Sequence, residues 1–65
     1  MKGTITRWLD IRGYGFIKPE EGGEDVFLHH SEVEDVYLIK EGKEVEFQIQ
    51  DTYRGPKAIN AKILG

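Results

Sequence analysis

"KEVEFQIQD", residues 43–51, alternates without a break: Val45, Phe47 and Ile49 fall on one side of an extended chain, and Glu44, Glu46, Gln48 and Gln50 on the other. A period of two, rather than 3.6, predicts a strand with one buried and one wet face. The same reading extends outward. On the C-terminal side, "KAINAKIL" (57–64) sets Ile59, Ala61 and Ile63 on one side, after an Arg54-Gly55-Pro56 turn whose proline presets φ and whose glycine permits unusual angles. On the N-terminal side, "GTITRWL" (3–9), "YGFIK" (14–18) and "DVFLHH" (25–30) are short and rich in β-branched or aromatic residues. Five strands are expected.

The connections carry ordinary punctuation. "PEEGGED" (19–25) joins the second and third strands through Pro19 and the Gly22-Gly23 pair, and "EGKE" (41–44) precedes the fourth. The longest break, "SEVEDVYLIKEG" (31–42), predicts one helical turn, because Ser31 and Glu34 have capping-box spacing and Val33, Val36 and Tyr37 stand at i, i+3 and i+4. Five short antiparallel strands in so few residues predict an all-β, five-stranded OB-type barrel, since closure removes exposed edges. The 65 residues are expected to form one domain, residues 1–65, burying only about 60% of the surface of the unfolded chain.

Composition narrows the function classes. There is no cysteine, so neither a disulfide framework nor a cysteine zinc site can staple the fold, and a reducing cytoplasm fits best. No apolar run approaches the ~20 residues that span a bilayer, and "MKGTITRWLD" lacks the apolar segment of a signal peptide, so no membrane role and no processing are expected. Nothing in the chain requires more than a monomer, a cofactor or a small-molecule substrate.

The net charge of −3 conceals three blocks. Lys2, Arg7, Arg12 and Lys18 outweigh Asp10 in residues 1–18, acids dominate residues 19–51, and Arg54, Lys57 and Lys62 make residues 52–65 basic. Charges more than about 8 Å apart are largely screened at physiological salt, so a local cationic surface attracts a polyanion despite a negative total. The acidic middle reads as a solvated face.

In "RGYGFIKP" (12–19), Tyr14 and Phe16 point to one side of the second strand, and Gly15 and Ile17 to the other. On the third strand Phe27 and His29 share a side opposite Val26 and Leu28. If the strands pair, Ile17, Val26 and Leu28 fill the core while Tyr14, Phe16, Phe27 and His29 cluster outward, and Gly15 marks a close approach by a ligand or another backbone. Rings flanked by Arg12 and Lys18 suit single-stranded nucleic acid: bases stack without regard to sequence and cations follow the phosphates. Alternation alone leaves open a second small core or a half-buried sheet face.

"RGYGFI" matches the opening of the ribonucleoprotein motif K/R-G-F/Y-G/A-F-V-x-F/Y, with Ile17 for the valine and Pro19 in place of the last aromatic. With "GTITRW", "DVFLHHS", "EGKEVEF" and "RGPKAIN" in the same order, the chain resembles the cold-shock domain family over nearly its whole length. That resemblance implies an OB barrel that binds single-stranded RNA and DNA through stacked bases and acts as an RNA chaperone. It assigns Tyr14 and Phe16 to a first motif and Phe27, His29 and His30 to a second, with Arg12 as the cation before the glycine. Arg54 and Lys57 are added from the last basic segment, and Tyr37 stands near the additional aromatic of the long loop.

Two departures stand out. The family commonly reads K-W-F-N, then two residues, then K-G, whereas "RWLDIRG" carries Trp8 one position nearer the glycine. Without a gap Trp8 takes the phenylalanine position and Arg7 the tryptophan position; with compensating gaps Trp8 keeps its role, so both join the expected contacts. His30 stands where the family often has an aromatic, and histidine still stacks.

Other chemistries rank lower. Adjacent strand residues His29 and His30 are expected to face opposite sides, with no cysteine or patterned acid to complete a metal shell. Ser31 beside His30 has no orienting third group for nucleophilic catalysis, so no catalytic or metal residue is assigned. The rival reading is a small-barrel protein-interaction module using the same aromatic face for a peptide.

Overall fold

A computed structural model describes residues 1–65. Five strands form: β1 (Lys2–Leu9), β2 (Tyr14–Pro19), β3 (Val26–His29), β4 (Glu44–Thr52) and β5 (Gly55–Ile63). They close in the order β1-β2-β3-β5-β4 and back to β1. Four seams are antiparallel; the fifth, β3 against β5, is parallel at Phe27↔Lys57. A ring of five strands cannot alternate direction all the way round, so one parallel seam is a consequence of closure.

The barrel interior holds Ile5, Ile17, Val26, Leu28, Val33, Val45, Phe47, Ala58, Ala61 and Ile63, with Trp8, Leu38 and Ile39 packed against it. Each large aliphatic or aromatic side chain removed from water there contributes about 1.5–3 kcal/mol. The alternating faces of β2, β3 and the start of β4 fall as expected, with Ile17, Val26, Leu28, Val45 and Phe47 inward.

Strict alternation fails at three places. On β4, Ile49 is 37% exposed: β1 covers β4 only at Glu44–Glu46, and the strand runs on with β5 as a two-stranded arm to Thr52↔Gly55. On β5, Ala58, Ala61 and Ile63 are buried rather than Ile59, because Asn60 adopts φ 52° and shifts the parity between Ala58 and Ala61. Asparagine tolerates that left-handed conformation. On β1, the register steps from Ile5↔Ile17 to Arg7↔Phe16, leaving Thr6 as an extra residue.

The expected helical turn is replaced by two 3₁₀ turns, His30–Glu32 and Val36–Leu38. The capping box does not form; His29 caps the first turn, its Nδ1 accepting the Ser31 backbone N–H. Val33 leaves that spacing to bridge Ala61 in the core, while Val36 and Tyr37 stay exposed.

Candidate nucleic-acid interface

The outward face of β2 and β3 is built by register. Tyr14 lies opposite His29 and Phe16 opposite Phe27, while Gly15↔Leu28 and Ile17↔Val26 face the core. Ile17 and Leu28 are fully buried and Val26 nearly so, whereas all four outward rings are half-buried. Tyr14 and Phe27 lie 5.5 Å apart at 36°, and Phe27 and His29 6.4 Å apart at 30°. Phe16 stands nearly across them, at 71° to Phe27 and 88° to Tyr14. Such edge contacts brace the rings and leave their outer surfaces toward solvent.

The β1 bulge decides what borders these rings. Ile5 and Arg7 are two residues apart and would share the inward side of a regular strand. The extra Thr6 turns Arg7 outward opposite Phe16 and sets Trp8 opposite Gly15. A Cβ on Gly15 would collide with the Arg7 carbonyl and sit 2.8 Å from Trp8 Cε3. The close approach at Gly15 is therefore made by the β1 backbone and the Trp8 ring. The Trp8 backbone N–H donates to Glu41 Oε2 at 3.0 Å, and its half-buried ring packs on the core. Arg7 thus stands beside the rings, and Trp8 is placed on the core side of the bulge.

Read across the strands, the register gives one row: Arg7 on β1, Phe16 on β2, Phe27 on β3 and Lys57 on β5. Two stacked-strand aromatics are thus bracketed by a cation on each side. Lys18 shares the outward side of β2 with Tyr14 and Phe16.

A second group gathers at the barrel end. Trp8, Arg12, Gly13, His30 and Tyr37 help line a surface depression of about 470 Å³. Gly13, with φ 74°, is the other motif glycine with a steric role: a Cβ there would meet His30 Cδ2 at 2.7 Å. The His30 ring thus lies over Gly13 and 4.4 Å from the His29 ring. The two histidines do not face opposite sides as expected, because His30 already belongs to the 3₁₀ turn. No group of three or more His, Cys, Asp or Glu side chains lies together to hold a metal. Ser31 meets His29, not His30: its Oγ lies 2.8 Å from His29 Nδ1, which also accepts the Ser31 backbone N–H at 3.2 Å. Both contacts close the turn. Tyr37 is 84% exposed on its own turn.

The third group lies across a groove of about 400 Å³ from Phe16 and Phe27, where Arg54 and Lys57 project from the β4–β5 hairpin. Tyr53 also lines it, a residue that sequence analysis did not single out. The available signal was an aromatic at the tip of a tight turn, beside an arginine.

The chain and its barrel have counterparts among known proteins. The 'cold-shock' DNA-binding domain family matches residues 1–64. A cold shock-like protein of Thermotoga maritima is 46% identical over 67 residues, covering 98% of both chains. Cold shock-like protein CspC of Shigella flexneri is 42% identical over 66 residues, covering 98% of this chain and 96% of its own. Among solved structures, Drosophila Unr CSD456 superposes with a TM-score of 0.81 at 32% identity, over 98% of this chain and 26% of that one.

Proposed function

This chain belongs to the cold-shock DNA-binding domain family, and from that premise we propose that it binds single-stranded RNA and DNA by stacking bases on Tyr14, Phe16, Phe27 and His29. The observation that carries the reading is the row Arg7–Phe16–Phe27–Lys57, which sets a cation on either side of two outward rings. A strand laid along the face meets ring planes with its bases and ammonium or guanidinium groups with its phosphates. Lys18 and Arg54 extend the cationic border, and Arg12, Trp8, His30 and Tyr37 offer a second contact zone at the barrel end.

Stacking is worth about 1–3 kcal/mol per base, so four stacks supply roughly 4–12 kcal/mol gross, against about 8 kcal/mol for micromolar binding. Binding of that strength holds bases splayed and unpaired, then releases the strand to refold. The protein thereby acts as an RNA chaperone and binds without catalysing.

The test is the fluorescence of Trp8 during titration with oligo-dT at rising salt, with an equal-length duplex as control. The expected result is saturable quenching by the single strand only. With Arg7, Lys18, Arg54 and Lys57 each neutralising one phosphate, log K should fall against log salt with a slope of about −3. Salt-indifferent binding would favour the peptide-docking module instead. Chaperoning has its own readout: a fluorophore-labelled RNA hairpin should melt faster with protein present, and an unchanged rate would leave binding without that activity.

A further inference from the structure

The β4–β5 hairpin ends in a two-residue turn, Tyr53-Arg54, between the paired residues Thr52 and Gly55. The Thr52 hydroxyl accepts the Arg54 backbone N–H at 3.1 Å and donates to the Gly55 carbonyl at 2.8 Å. The turn is therefore pinned from both sides. Tyr53 is 93% exposed and makes no contribution to the core. The backbone that carries this exposed ring therefore has little ordering left to lose when something stacks on it. Arg54 Cζ lies 5.6 Å from the centre of that ring, within cation–π range.

Tyr53 and Arg54 line one groove together with Phe16, Phe27 and Lys57. Its volume of about 400 Å³ falls within the range of clefts that take small planar ligands. It is continuous with the aromatic row through those two phenylalanines. A strand lying on the row and leaving past Phe27 meets the Tyr53 ring next, with Arg54 and Lys57 for its phosphates.

We propose that Tyr53 is an additional stacking site, which takes one further base of the bound single strand beyond those on the β2–β3 face. This inference rests on the nucleic-acid reading of the aromatic face. A single-stranded occupant is favoured over a peptide by the cations that border the groove.

The test compares wild type, Tyr53→Ala, Tyr53→Phe and Phe27→Ala by fluorescence anisotropy of labelled oligo-dT of about four and about eight nucleotides, the small end of barrel site sizes. Tyr53→Ala should weaken binding of the longer strand by roughly fivefold or more while leaving the shorter strand almost unaffected. Tyr53→Phe should match wild type on both, since the ring and not the hydroxyl stacks, and Phe27→Ala should weaken both. Thermal melts of the Tyr53 variants should coincide with wild type. Unchanged binding of the longer strand by Tyr53→Ala would overturn the inference, as would equal losses on both lengths or an equal loss in Tyr53→Phe. Wild type that binds neither strand would instead overturn the reading beneath it.

Discussion

Gly15→Ala is expected to lower the melting temperature by more than about 10 °C and to abolish nucleic-acid binding at temperatures where wild type is still folded. The added Cβ has nowhere to go. It would overlap the Arg7 carbonyl and crowd Trp8 Cε3, and the first of these is backbone, held in place by the β1–β2 ladder. Relief requires β1 to lift from β2 at the bulge, which also withdraws Arg7 from Phe16. Overpacking costs typically about 1–3 kcal/mol and occasionally more, and a backbone obstacle belongs at the upper end. A domain of this size has only roughly 3–10 kcal/mol to lose, and 1 kcal/mol shifts its melting temperature by about 4–8 °C. Calorimetry or circular dichroism checks the prediction; a melting temperature within a few degrees of wild type would mean that β1 does not press on Gly15 as described. Trp8 emission should shift as well, because its ring loses the same space.

The second large effect separates the two faces of the sheet with two phenylalanines. Phe27→Ala should weaken oligo-dT binding by about 1–3 kcal/mol, roughly 5- to 150-fold. It should cost the fold less than that, because the ring is half-buried and its neighbours Tyr14, Phe16 and His29 are themselves at the surface. Phe47→Ala should do the reverse. That ring is 1% exposed in the barrel interior, and truncation of a buried phenylalanine costs about 3–5 kcal/mol, a large share of the total. Whatever Phe47→Ala protein remains folded should bind with an affinity close to wild type. Paired measurements of stability and affinity decide it: a Phe27→Ala variant that unfolds yet binds normally when folded would make the β2–β3 rings a second core.

The inward and outward sides of β2 and β3 were legible in the chain itself. Ile17, Val26 and Leu28 alternate with Tyr14, Phe16, Phe27 and His29, and side-chain direction in a regular strand is a local property that needs no partner. The same holds for the five-strand count and for the motif order that marks the family. Alternation was equally clear in the first half of β4, where Val45 and Phe47 face the core.

What only the tertiary structure decided lies where that local rule is interrupted or where distant segments meet. One inserted residue, Thr6, reverses which of Arg7 and Trp8 faces the rings, and Asn60 moves burial from Ile59 to Ala58. A bulge changes parity without changing composition, so the residues around it look the same in either register. Ile49 is exposed where β4 runs on beyond its pairing with β1, which covers only Glu44–Glu46. The cation row and the Tyr53 groove depend on β5 lying beside β3 through the single parallel seam. Ring closure creates that seam between segments far apart in the chain. The period of two therefore determined which rings face outward, while the β1 bulge and ring closure determined which cations and which further ring stand beside them.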